Sequence, residues 1–394
     1  MPFLIAPQSL AFTVLLGVLA ALPAVSIDIT TPALPLLPQA LGTSSAVASL
    51  TLSLFMVGFA LGQLVGGYLS DRGGRRPVLL IGLALYAGAA LFCTIAWSGV
   101  GLVACRLAQG VGAGACSVLS FAMVQDLFVG EEARTKRSYV TVVFGLVPML
   151  APALGTLIIH LGSWRTIYAV LATAGGLLLM VSSLGLKESR RAVADGTGAM
   201  SRPRVLLLAH DKRFVAIAAA NALSYAAIFA YIAGSSFVMI GIMGYSAATF
   251  AAVFASTAAA LTAGAWVNGR LSTAGIEAAT AIGPALTVAV ATTLALAAAS
   301  LSGHTSGLIL LPLLLLTMFT RGIIAPNLQH LAIERHVEQA GTASAAVGVS
   351  QLLSGALASA IVGVALPAYG VSAVAVPMAI VTIGALALWY GTCR

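Results

Sequence analysis

Asp28 is the only charged residue among the first 70, and the segment around it is apolar enough to cross a membrane. A carboxylate near the centre of a bilayer costs about 2.5–3.5 kcal/mol on insertion scales. A side chain carrying that cost is expected to move a proton or a cation, or to pair with a buried base. Arg106 is a second embedded charge, inside a different apolar segment. It can act as that base, or its aliphatic stem can carry the charge to the nearer interface. As a pair the two residues suit proton coupling. Desolvation favours the neutral acid and a nearby guanidinium favours the carboxylate, so a change of hydration or distance switches between them. Other chemistries lack their residues. There is no phosphate loop and no nucleophile–base arrangement. His330 and His336, near a cytoplasmic loop, lack metal-ligand spacing and are expected to be solvated, and Cys93, Cys105, Cys116 and Cys393 form no CxxC pair. Neither an enzyme, nor a metal site, nor a bound cofactor is expected, and a proton gradient is the expected energy source.

The elements that must position these charges are membrane helices. Of 394 residues, 60% are hydrophobic and 8% charged, against roughly 25% charged in soluble domains. The 41 glycines suit helices packed closely through small residues, and continuous apolar runs disfavour a β-barrel. Spans are expected near 9–32, 46–68, 77–96, 99–124, 138–160, 164–186, 214–238, 247–269, 277–300, 306–327, 342–365 and 370–391. The fold class is therefore all-α integral membrane: twelve transmembrane helices in two six-helix halves, 1–186 and 214–394, with a central cavity. A cytoplasmic linker, 187–213, carries Lys187, Arg190, Arg191, Arg202, Arg204, Lys212 and Arg213. No basic region precedes the first span, so a cleaved signal peptide is not expected.

The net charge of +8 is compatible with a nucleic-acid or other acidic partner, but the basic residues fall at alternate loops, which argues against one. Arg72, Arg75 and Arg76, then Arg134, Lys136 and Arg137, then Arg270 and Arg335 mark one side, and only Arg165 stands out on the other. Both termini are expected in the cytoplasm, in a bacterial inner membrane. Asp126, Glu131 and Glu132 are expected to offset the cluster at Arg134–Arg137. Embedded charges concentrate in the first half, which suits ion handling there and an apolar substrate lining in the second.

Between spans two and three stands Gly67-Tyr68-Leu69-Ser70-Asp71-Arg72-Gly73-Gly74-Arg75-Arg76. Gly67 would let two helices approach, Gly73-Gly74 permit a turn at positive φ, and Asp71 cap a helix or pair with the arginines. This spacing resembles the signature loop of the major facilitator superfamily. Leu102-x3-Arg106-x2-Gln109-Gly110 resembles its second motif. Pro148 and Ala151-Pro152-Ala153-Leu154-Gly155-Thr156 resemble its antiporter motif, with Ala151 and Thr156 where that motif has glycine. The two prolines and Gly155 imply a kinked helix. Ser26-Ile27-Asp28-Ile29-Thr30-Thr31-Pro32-Ala33-Leu34-Pro35 is similar to the first-span signature of the Bcr/CflA drug-resistance branch, which includes bicyclomycin and phenicol exporters. Thr30 and Thr31 stand where that branch commonly has tyrosine and leucine. Segments around Arg213-Phe214, Ser235-Ser236-Phe237-Val238 and Ala340-Gly341-Thr342-Ala343-Ser344 resemble the same branch.

The resemblance implies a monomeric drug:proton antiporter in the lipid bilayer, exchanging protons for small lipophilic or amphipathic drugs. The alternative is a proton-coupled carrier of an endogenous metabolite on the same fold. Asp28 and Arg106 would couple the proton, and the segment Gly67, Asp71, Arg72, Gly74, Arg75 and Arg76 would latch the cytoplasmic side across the two halves. Candidate cavity residues are Asp28, Phe55, Asn221, Tyr225, Phe229, Tyr231 and Ser235, each with helix packing as its alternative reading. Met56 and Met123 are expected to be packing residues. Arg321 either touches the pathway or reaches the interface along its stem.

Overall fold

The structure, a computed structural model, describes residues 5–190, 208–336 and 339–392. Among them every regular element is helical. Twelve helices are long and apolar enough to cross a membrane: α1 Leu10–Leu41, α2 Ser45–Gly73, α3 Arg75–Thr94, α4 Gly99–Leu127, α5 Gly130–Leu161 and α6 Trp164–Gly185. The other six are α7 Lys212–Ile242, α8 Ala247–Thr273, α9 Ala278–Leu301, α10 Gly307–Glu334, α11 Gly341–Tyr369 and α12 Ser372–Thr392. The chain divides into two compact units, Met1–Ala199 and Met200–Arg394. Arg191, Arg202, Arg204 and Cys393 lie outside the described residues.

Several helices run further than their apolar cores. Helix α5 starts at Gly130, so Glu131 through Arg137 form its first turns. Acidic residues at a helix start complement the macrodipole, which favours the helical extension. Helix α2 continues to Gly73 and α3 begins at Arg75, so the signature segment is a joint of one residue, Gly74, at φ 96. Ser44, Ser98, Ser246 and Ser306 begin α2, α4, α8 and α10, each accepting a backbone N–H of the first turn.

Each unit uses the same helix pairings six helices apart. Helices α1 and α5, α2 and α4, α3 and α4, and α3 and α6 pack together in the first unit. Helices α7 and α11, α8 and α10, α9 and α10, and α9 and α12 do so in the second. The contact between the second and fourth helices has the same atomic design in both. A Cβ on Gly58 would lie 2.1 Å from the Leu107 carbonyl oxygen, and one on Gly110 would lie 2.1 Å from that of Phe55. In the second unit Gly264 meets the Phe319 carbonyl at 1.9 Å and Gly322 that of Leu261 at 2.1 Å. Small residues allow this backbone approach within a membrane. The shared register sets Arg106, just before Leu107, against Met318, and Gln109, just before Gly110, against Arg321.

The α2–α4 clasp has a direct test. Gly110→Ala adds a Cβ inside van der Waals contact and is expected to destabilise by about 1–3 kcal/mol, read as a lower melting temperature in detergent. Gly88→Ala, with nothing within 4 Å of the new Cβ, is expected to leave melting unchanged or slightly raised.

Candidate functional site

The clasp brings the fully buried Arg106 within reach of two helix backbones. Its Nη2 donates to the Ser26 carbonyl of α1 at 3.0 Å, and its Nε reaches the Thr51 carbonyl of α2 at 3.4 Å. Nη1 donates to Gln109 Oε1 at 2.7 Å, and the guanidinium lies over the Phe55 ring, 4.2 Å from its centroid. The Ser26 hydroxyl donates to Leu22 O at 2.7 Å, so the Tyr86 hydroxyl, also 2.7 Å away, is the donor to Ser26. Helices α1 and α2, with Gln109 of α4 itself, thus hold one cation by carbonyls, an amide and a ring face.

Asp28 lies two residues beyond Ser26 and is 4% exposed. The ion pair with Arg106 expected from the sequence is not formed, because the guanidinium is committed to Ser26, Thr51 and Gln109. Among the described residues the Asp28 carboxylate has no hydrogen bond or ion pair. Its surroundings are tightly fixed even so. Helix α1 changes from α- to 3₁₀-type winding here, and Pro32 and Pro35 cannot donate to the preceding carbonyls. Thr30 Oγ1 donates to Ile27 O at 2.8 Å, and Thr31 Oγ1 to Asp28 O at 2.7 Å. The two threonines therefore repair the backbone beside the acid. Helix α5 presses on the same spot: a Cβ on Gly155 would lie 2.1 Å from Ile29 O. Pro148 and Pro152 lie inside a helix that continues through both, and Pro152 is buried beside this contact.

The joint between α2 and α3 carries a second charge network, built from first-unit residues. Arg75 pairs with Asp71 at 2.5 Å and Asp126 at 2.8 Å. Asp126 therefore serves Arg75, correcting its expected role beside Arg134–Arg137, because packing of α3 on α4 brings it to the start of α3. Arg76 donates to the carbonyls of Leu186 and Ser183 at 2.8 and 2.7 Å. Arg72 lies over the Tyr68 ring, 4.2 Å from its centroid. Gly67 has open space where a Cβ would stand, so it is not the close-approach glycine, whereas Gly66 meets Ala115 at 2.8 Å. Glu188, which the sequence did not single out, accepts the backbone N–H of Arg75 at 2.7 Å and of Arg76 at 3.1 Å, capping α3. Gly74 makes room for it: a Cβ there would lie 2.6 Å from Glu188 Oε2.

The cavity candidates separate by environment. Phe55 is fully buried as the shelf under Arg106, so its role is to hold that cation and not to line a cavity. Met56 and Met123 are fully buried packing residues. On α7, Asn221 is fully buried, with neither side-chain oxygen nor nitrogen bonded among the described residues. The Tyr225 and Phe229 rings lie 5.2 Å apart, while Tyr231 stacks on Phe254 and meets Thr257 Oγ1 at 3.2 Å. Tyr231 and Ser235 line a cavity inside the second unit. Arg321 does not reach the interface: it is fully buried and donates to Thr382 Oγ1, with Nε and Nη1 unbonded among the described residues. His336, expected to be solvated, instead meets the Asp211 carboxylate at 3.1 Å and packs its ring edge on Phe214. Asp211 caps the start of α7, which brings it to the end of α10.

This architecture and its motifs define a polytopic transporter, and comparison with known proteins gives its family. The chain belongs to the Major Facilitator Superfamily, whose profile matches residues 16–359. It is 33% identical over 362 residues to an uncharacterized transporter of that superfamily, YdgK of Bacillus subtilis, covering 91% of this chain and 89% of that one. It is 32% identical over 232 residues to the multidrug resistance protein MdtL of Escherichia fergusonii, a match spanning 59% of each chain. In fold it is similar to a bacterial homolog of the human lysosomal transporter Spinster, at TM-score 0.79 and 16% identity, covering 99% of this chain and 98% of the other. A D-xylose–proton symporter superposes at TM-score 0.72 and 17% identity, with coverage of 97% and 98%. The protein is thus a multi-pass membrane transporter.

The cap on α3 makes a pH-dependent prediction. Burial raises the Glu188 pKa, but the backbone N–H groups of Arg190, Arg75, Arg76 and Ser189 outweigh it and hold the carboxyl below its ordinary value. A depressed native value stabilises fully above the unfolded pKa, about 4.3, and that contribution disappears as pH falls through the native value. Glu188→Gln is expected to melt below wild type at pH 7, with the gap closing on acidification. A gap that stays constant between about pH 3 and pH 7 would contradict the cap.

Proposed function

We propose that the protein exports amphipathic drugs in exchange for protons across a bacterial inner membrane, with both termini cytoplasmic, by alternating access between its halves. The observation that carries this reading is Asp28, 4% exposed in the first span and without a partner among the described residues. An uncompensated buried carboxylate is costly, and taking up a proton removes the cost. The acid loads from the periplasm and discharges to the cytoplasm as its hydration changes. Arg106 serves by fixing α1 at Ser26, and so sets where the Asp28 carboxyl stands. The latch role of the α2–α3 joint belongs to the same proposal, with Asp71, Arg75, Asp126 and Glu188 keeping the joint rigid. Resemblance to MdtL, a multidrug resistance protein, supports drugs as the substrate class, and the mainly apolar second half accords with it. Partners on this reading are protons, lipophilic drugs and the bilayer, acting on a monomer.

Susceptibility to ethidium and chloramphenicol, measured in cells lacking their own pumps, tests the coupling. Wild type is expected to raise the inhibitory concentration of at least one drug. Asp28→Asn, at equal abundance in the membrane, is expected to fall to the empty-vector level, and Asp28→Glu to retain part of the effect. Full resistance in Asp28→Asn would exclude the acid from coupling.

A further inference from the structure

The second unit contains a cavity of about 360 Å³ formed by its own helices alone. Helices α7, α8, α9, α10 and α12 supply the walls, and exposed Leu308 and Thr249 mark the mouth. The mouth lies at the end carrying the α7–α8 and α9–α10 connections, opposite Lys212 and Glu334. Its deep wall holds Ser235, 4% exposed, and Met378, 1% exposed.

Two local features of α7 shape this space. At Gly234 the helix closes on α12, since a Cβ would stand 2.2 Å from Val374 Cγ2. Beyond that pinch, Phe237–Ile242 winds as a π-helical turn, with Met243 N–H reaching back to Val238 O at 2.8 Å. Single π turns recur at functional sites because the extra residue re-aims the side chains that follow. Here Met239 and Met243 face the cavity.

The lining fixes the chemistry of an occupant. No lining residue bears a charge, so an ion would enter uncompensated. Met239, Met243 and Met378 give an adaptable apolar wall. Polar groups are few and placed at opposite ends. The Ser235 hydroxyl donates to Ile232 O at 3.3 Å, leaving its oxygen to accept at depth. The Tyr245 hydroxyl lies beside Gly307 at the mouth, 2.8 Å from where a Cβ would stand. The volume is within the range of sites for drug-sized molecules, about 300–1,000 Å³.

We propose that this cavity is a binding site for an uncharged lipophile bearing one hydroxyl or amide. The polar end donates to Ser235 Oγ, and the apolar body lies along the methionines. The site is complete within one unit, and occupancy needs no proton movement, so it stands or falls apart from drug–proton exchange.

The test is photolabelling of the whole protein in phosphatidylethanolamine–phosphatidylglycerol nanodiscs with a dodecanol analogue carrying a diazirine on its chain. Cross-links are mapped by mass spectrometry. Label is expected on the peptides containing Met239–Tyr245 and Val374–Met378, displaced by plain dodecanol and equal in Asp28→Asn. Ala375→Trp fills the space and is expected to lower that labelling at least tenfold. Ser235→Ala, which keeps the volume, is expected to weaken half-saturation by the alcohol about five-fold, the worth of one net hydrogen bond, and to leave labelling by the diazirine alkane unchanged. Unaltered alcohol labelling in both variants would overturn the proposal. So would equal labelling by the dodecanoate analogue, or label confined to other peptides.

Discussion

A guanidinium with no exposed surface inside a membrane span is costly unless the protein itself satisfies its N–H groups. Arg106 is in this position, and much of the first unit's arrangement follows from it. Its carbonyl acceptors sit on α1 and α2, so both helices must come close to α4. Bulkier residues at 58 and 110 would keep α2 away, since a Cβ at either would stand 2.1 Å from a carbonyl oxygen of the facing helix. The Phe55 ring lies beneath the charge, and Tyr86 ties α3 to α1 through the Ser26 hydroxyl. The result is a fixed point on α1 just before the helix changes its winding at Asp28.

That fixed point gives Asp28 its character. A carboxylate paired with arginine would be a settled ion pair, of the kind that breaking leaves badly destabilised. Here the cation is satisfied by Ser26, Thr51 and Gln109, and the Asp28 carboxylate is left without an ion pair among the described residues. The threonines and Gly155 complete the enclosure by repairing the Ile27 and Asp28 carbonyls and bringing α5 against Ile29. The second unit repeats the glycine clasp with different polar content. Met318 stands in the register of Arg106 and Arg321 in that of Gln109, so its buried cation turns to Thr382 on α12. One backbone design thus holds two different polar interiors.

Much of this was legible in the chain itself. Apolar run length gave twelve spans, and the signature residues around Arg72 and Arg106 pointed to the superfamily that the profile match establishes. Residue type marks Asp28 and Arg106 as embedded charges, but sequence spacing carries no information on which way a guanidinium turns, and the expected ion pair does not form. Asp126 and His336 depart from expectation for a related reason. Neighbours in sequence do not reveal the partner of either, Arg75 or Asp211, which arrives through helix packing. Glu188 gave no signal at all, because a carboxylate capping a helix distant in sequence has no local pattern. The helix ends were read short wherever polar turns continued an apolar core, as at the start of α5.

On the proposed function, Asp28 is the exchangeable acid and Arg106 positions it without neutralising it. The most direct measurement is the change in pH when ethidium is added to the purified protein in weakly buffered detergent solution. Wild type is predicted to release protons in proportion to bound ethidium. Asp28→Asn is predicted to bind the dye without releasing them. Proton release of equal size from Asp28→Asn and wild type would contradict the account.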